Sequence, residues 1–323
     1  MLWNGRGDMP VTRRTSLDGL ESAPRWILLF LGAYVAVNLF ALFLWNASGQ
    51  VFSIQGTYDS TSALSVTAMA GVDLWLCLLV LGSFPAGAPL RSAWVLITFA
   101  AAARAVSGVL TEFLGSNWLL NPLAWSEQPK SGLIAQIRHL ALIAGGPVRL
   151  AILAVALLAA LGMLRKFGFR ARPTAADWAV SGVVCMLTLC RLGETCAASL
   201  AGRQISQEDW ISLAGLPILC VLALEAMLLR RSLARMGNGL IAKTWVALVF
   251  GILLTGAGEV AFWVIPHFSP TPPLAMFCAL LRLTIGSVFA LVPAYQLVAQ
   301  RRAMRPAGSL PEDSPEGIPE LAG

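Results

Sequence analysis

Nine ionisable side chains sit inside long apolar runs of this 323-residue chain: Asp73, Arg104, Glu112, Arg149, Arg191, Glu194, Glu225, Glu259 and Arg282. A charge held near the middle of a bilayer costs on the order of 3 kcal/mol even on the lenient insertion scale. Four arginines at that depth must therefore meet one another, the acids, backbone carbonyls or water. The guanidinium group stays charged and forks onto carboxylate or phosphate oxygens. An arginine-lined polar site within the membrane would thus take an anionic group. The residues proposed to form it are Arg104, Arg149, Arg191 and Arg282, with Asp73, Glu112, Glu194 and Glu259 as the acids at a similar level. Glu225 is set apart, towards the far end of its run and close to Arg230 and Arg231.

The elements that must carry these residues are legible in the hydropathy. Only 12% of the residues are charged and 57% are hydrophobic, against roughly a quarter and somewhat under half in a soluble domain. The excess falls in runs of about twenty residues, the length an α-helix needs to cross a hydrocarbon core about 30 Å thick. The expected spans are 26–46, 63–84, 92–113, 139–164, 177–200, 209–229, 244–265 and 273–298. The fold class is all-α, a polytopic membrane bundle of about eight transmembrane helices. A short tail (1–24) precedes the membrane domain (25–300), and an acidic, Pro-rich tail (301–323) follows it. That tail, with Pro-Glu at 311, 315 and 319, is expected to be disordered.

Tryptophans mark many span ends: Trp26, Trp45, Trp94, Trp178, Trp210, Trp245 and Trp263. They read as an interfacial aromatic belt. Loop charges then orient the chain. One side carries sixteen Lys and Arg: four in the N-terminal tail, one (Arg91) after the second span, four at Arg165–Arg172, four at Arg230–Lys243 and three in the C-terminal tail. The other side has three, Lys130, Arg138 and Arg203. The positive-inside bias places both termini in the cytoplasm and the protein in the inner (plasma) membrane. Arg13-Arg14 has the pair of a twin-arginine export signal. The long apolar run that follows, with no small-residue cleavage site, reads instead as a retained first span.

Spacing within single runs adds detail. Arg191 and Glu194, three apart, share a helix face and can pair. Gly251, Thr255 and Glu259 recur every four residues and form a small-residue seam along which another helix can approach. The outer loop from Gly115 to Arg138 is too apolar to lie free and is expected on or in the membrane surface. Arg149-Leu-Ala-Ile-Leu-Ala-Val and Arg282-Leu-Thr-Ile-Gly-Ser-Val echo one another, as repeated helical hairpins would.

Several chemistries lack their residues. The two histidines, His139 and His267, lie at or beyond outer helix ends, so a bis-histidine haem has no ligands. No HExxH, P-loop or CxxC is present, so no metal site and no cofactor is expected. The three lysines lie in loops or at a helix start, which leaves none for a retinal Schiff base. Basic residues flank the runs in place of forming a stripe, so nucleic acid is not an expected partner. The expected partners are the lipid bilayer, an anionic small molecule or lipid headgroup, and other membrane proteins.

Three functional readings fit these residues. The first is a transporter-like or lipid-handling protein whose arginines bind an anionic group. The second is a non-catalytic membrane subunit or scaffold, in which four arginines and the acids neutralise one another in a structural network. The third is a membrane enzyme using Cys196, beside Glu194, with Arg282; no catalytic residue is assigned, because a histidine base is missing from the spans. The first two differ in whether the charged level encloses a water-accessible cavity or closes into paired side chains.

Overall fold

The computed structural model describes residues 22–48, 55–85, 87–88, 90–111, 132–166, 168, 172–202, 207–234, 240–264 and 272–304. Among them no strand occurs and 94% are helical. Only helices satisfy every backbone N–H and C=O within one apolar segment. The helices are α1 (Ala23–Ser48), α2 (Gln55–Ser83), α3 (Arg91–Val109), α4 (Leu133–Ile143), α5 (Arg149–Lys166), α6 (Ala175–Leu200), α7 (Gln207–Ala234), α8 (Leu240–Val264) and α9 (Pro272–Met304). Seven spans are long and apolar enough to cross a membrane, with α4 and α5 making one of them. The described apolar part of α8, Lys243–Gly258, is shorter, although the helix itself runs 25 residues. The result is an all-α membrane helix bundle.

The expected spans overlap these helices, whose ends differ from them by up to eight residues (α2 begins at Gln55), and two places depart further. The fourth span is broken: α4 passes through a π-helical turn, Ala144–Val148, into α5. Pro147 has no N–H to give to the ladder, and Gly146 takes non-helical angles (φ −96°, ψ −106°). The wide turn is held from α3, where the Ser107 hydroxyl donates to the Ala141 carbonyl at 2.7 Å. Gly145 is needed there, because a Cβ would overlap the Ser107 side chain. In addition, helix α4 starts at Leu133, so the last residues of the expected outer loop are helical; residues 115–131 of it lie outside the described residues. So do most of the N-terminal tail and the tail beyond Met304.

Helix contacts define a closed ring of six helices: α2 packs on α3, α3 on α5, α5 on α7, α7 on α8, α8 on α9, and α9 back on α2. The π turn and α4 continue the α5 position between α3 and α7. Two spans stand outside the ring, α1 against α9 and α6 against α7. Burial follows that plan. The α9 span is 78% buried, those of α1 and α6 only 17% and 6%. Large side chains fill the middle of the ring. Trp94 of α3 and Trp245 of α8, both almost fully buried, have ring centroids 6.4 Å apart, and Phe84 lies 6.4 Å from Trp94. These aromatics close the end of the ring where α3 and α8 begin.

The start of α6 is fixed by a capping box, Thr174-x-x-Asp177. The Thr174 amide and hydroxyl both donate to Asp177 Oδ2, at 2.7 and 3.1 Å. Arg231 of α7 reaches the other oxygen at 3.1 Å. One buried carboxylate thereby ties an outer helix to the ring.

Candidate functional site

About ten residues along α3 from the aromatic end, or roughly 15 Å at 1.5 Å per residue, the ring holds charge. Asp73 occupies the middle of the apolar stretch Leu64–Ser83 and is 5% exposed. Its Oδ1 accepts from the Cys77 thiol at 3.7 Å. Arg104 of α3 and Arg149 of α5 both lie within electrostatic reach of this carboxylate. The two guanidinium groups also share one aromatic partner: the Cζ atoms of Arg104 and Arg149 are 5.7 and 4.6 Å from the centroid of the buried Phe289 ring. A cation over a ring face is attracted by the ring quadrupole, and the attraction grows when water is excluded.

Each position has a local cause. Arg149 is the first residue beyond the π turn, so that break sets the direction from which its side chain enters the ring. Arg104 fits because Gly286 of α9 has no side chain: a Cβ there would come 2.8 Å from Arg104 Nη2. Phe289 fits because Gly251 of α8 leaves room for its ring, where a Cβ would stand 3.4 Å away. Gly251 and Thr255 are both buried, and the Thr255 hydroxyl donates to the Gly251 carbonyl at 2.8 Å. The seam expected on this helix thus faces α9. The Glu259 side chain and all of Glu112 lie outside the described residues.

The balance of donors and acceptors is uneven. Among the described residues, Asp73 is the carboxylate within electrostatic reach of both guanidinium groups, and Arg104 Nη1 is buried with no hydrogen-bond acceptor. A buried, unpaired N–H of a charged group costs more than a neutral one.

The remaining expected residues stand elsewhere. Arg282 is exposed on α9, one turn before Gly286. Arg191 is half-buried and Glu194 exposed on α6, which packs on α7 away from the α2–α3–α9 side of the ring. Cys196 is exposed on that same helix, and α6 does not pack on α9, so Cys196 and Arg282 are not brought together. Glu225 is buried on α7 with Oε2 lacking a partner among the described residues. No group of three or more His, Cys, Asp or Glu with metal-binding geometry occurs among the described residues.

Phe289 and Gly286 carry no sequence signal, being ordinary residues in an apolar run. Asp177 does have one, the Thr-x-x-Asp pattern before an apolar stretch. The chain matches no protein-family model, no characterised protein and no solved structure.

Proposed function

We propose that this multi-pass membrane protein is transporter-like or lipid-handling, and that Arg104 and Arg149 hold an anionic group, a phosphate or a carboxylate, inside the ring of spans. The observation that carries this reading is the arginine pair sharing the Phe289 ring, with a buried Arg104 N–H that has no acceptor among the described residues. Mid-depth placement supports it, since substrate sites in many transporters lie near the bilayer midplane. The sixteen-to-three distribution of loop Lys and Arg supports both termini in the cytoplasm of an inner (plasma) membrane protein.

A second reading has its own observation. Asp73 is within reach of both arginines, as it would be in a charge network that only fixes helix order in a scaffold or complex subunit. The test is a thermal-shift series on the purified protein in neutral detergent, with added phosphatidylglycerol, inorganic phosphate or acetate. The binding reading expects a saturable rise in Tm with at least one anion, which Arg104→Gln and Arg149→Gln remove. If no anion stabilises the wild type and both variants lose most of their folded protein, the network reading stands and the binding site is refuted. A response to the lipid alone would identify a headgroup site, and a response to phosphate or acetate a site for a free anion.

A further inference from the structure

Helix α6 stands outside the ring and packs on α7, and two contacts fix how it does so. Near its start, Asp177 pairs with Arg231 at 3.1 Å. Eleven residues further along α6, Thr188 Oγ1 stands 3.8 Å from Cys220 Sγ, and Cys220 is eleven residues back from Arg231 along α7. Equal counts on both helices over three turns are the register of a regular antiparallel pair. Cys185 lies one turn before Thr188, and its thiol is within hydrogen-bonding reach of Cys220.

The setting of this thiol pair decides what can reach it. Cys185 is exposed and Cys220 half-buried. Cys185 is about 4 Å from the middle of α6 at 1.5 Å per residue, well inside a hydrocarbon half-thickness of about 15 Å. Val183, Met186 and Leu189 around it are exposed as well. The open side of the pair therefore meets acyl chains and not water, and its reactant must be uncharged and lipid-soluble. Thiolate attack, the usual route of thiol oxidation, needs a charged sulfur, which is costly at this depth. Transfer of a hydrogen atom needs no charge.

We propose that Cys185 and Cys220 are a redox site that gives two hydrogen atoms to peroxyl radicals of oxidised acyl chains and closes into a disulfide between α6 and α7. Each of two peroxyl radicals takes one hydrogen atom, one from each thiol. Two S–H bonds break and two O–H bonds form, so two lipid hydroperoxides result. The two sulfur radicals then join in one S–S bond. The thiols are oxidised, the radicals are reduced, and no proton or charge is left in the membrane. Contact between the thiols is what ends the reaction, because a lone sulfur radical would persist among the acyl chains. The other described cysteines lack one of the two conditions. Cys77 is buried beside Asp73. Cys190 and Cys196 are open on α6, but both lie beyond Cys220, the sole cysteine of α7.

The proposal is independent of the anion site, and its experiment reads thiols only. The full-length protein is placed in liposomes of polyunsaturated phosphatidylcholine, with a lipid-soluble azo initiator under air as the radical source. Peptide mass spectrometry should find a Cys185–Cys220 cross-linked pair, two hydrogens lighter than its reduced parts, that grows with initiator and is undone by dithiothreitol. Cys185→Ser and Cys220→Ser should each abolish it, while Cys190→Ser and Cys196→Ser leave it at the wild-type yield. Hydrogen peroxide applied in saturated lipid, where no acyl peroxyl radicals form, should give almost none. Four results would each overturn the proposal: no disulfide, an equal yield from hydrogen peroxide, a disulfide joining two copies, or Cys185 carried on to sulfinic or sulfonic acid with Cys220 still reduced. The wild-type protein alone decides among them, so they hold even where a variant fails to fold.

Discussion

Arg149 and Phe289 meet across the ring of spans: the guanidinium carbon stands 4.6 Å from the ring centroid, although α5 and α9 do not pack against each other. Long side chains bridge an interior that the helices themselves leave open, at the depth where Arg104 joins the same ring. Phe289→Leu keeps an apolar side chain but removes the π face from both cations. Each cation–π contact is worth about 0.5–2 kcal/mol. We expect a lower Tm and a weaker anion response together, read by the same detergent thermal shift. An unchanged anion response would take Phe289 out of the site.

Two glycine substitutions should separate site from scaffold. At Gly286 an added methyl meets the far end of a flexible side chain, Arg104 Nη2 at 2.8 Å, which can swing away. Gly286→Ala should cost about 1 kcal/mol or less in stability but abolish most of the anion response. At Gly145 the methyl overlaps Ser107 near its backbone, and the Ser107 hydroxyl holds the π turn. Gly145→Ala should cost about 1–3 kcal/mol, visible as a lower Tm with or without anion.

The spans were legible because each is a run of apolar residues whose length is set by the bilayer, and length and composition need no knowledge of neighbours. The break in the fourth span was less so. Gly145, Gly146 and Pro147 mark a weak point, but many membrane helices keep their course through such residues when neighbours re-satisfy the backbone, and the hydroxyl that meets this turn belongs to Ser107, 34 residues upstream of Ala141. The site was half legible. Charge at mid-depth identified Asp73, Arg104 and Arg149 as residues needing an explanation. Which arginines converge depends on helix order around the ring, and apolar runs carry almost none of that order. Hence Arg191 and Arg282, alike in depth, belong with the others by sequence and stand apart in the bundle.

Asp177 makes a sharper prediction about folding. It accepts twice from Thr174 and is ion-paired with Arg231 while fully buried. Asp177→Ala loses an N-terminal cap worth about 1 kcal/mol and part of an ion pair discounted because the Arg231 side chain is 34% exposed. We expect a loss of about 1–3 kcal/mol, with Asp177→Asn, which keeps a capping oxygen, losing less. Denaturant titration in mixed micelles would order the two; equal losses would mean that the cap contributes nothing.

The proposed topology rests on the loop charges and is open to a direct check. Cysteines placed at Asp59, Glu127, Ser206 and Ser269 should react with an impermeant maleimide added outside intact cells, and those at Arg170, Arg235 and Ser309 only after permeabilisation. Outside labelling at Ser309 would change the number of spans from even to odd.

Asp73 offers the cleanest separation of a binding site from a charge network. In a network, Asp73 is the group that makes two buried arginines tolerable, and Asp73→Asn leaves both without their counter-charge. Breaking a buried pair costs about 3–5 kcal/mol, so folded protein should fall steeply. In a binding site, Asp73 competes with the incoming anion for the same guanidinium groups. Asp73→Asn then leaves the arginines attractive to anions, and added phosphate or anionic lipid should restore what the lost carboxylate had supplied. We expect the second pattern: a modest drop in Tm without anion, reversed by anion, and half-saturation at a lower anion concentration than in the wild type. The measurement is a Tm titration of both proteins against phosphatidylglycerol, phosphate and acetate. A variant that unfolds alike at every anion concentration would remove the binding site and leave Arg104 and Arg149 as Asp73's structural partners.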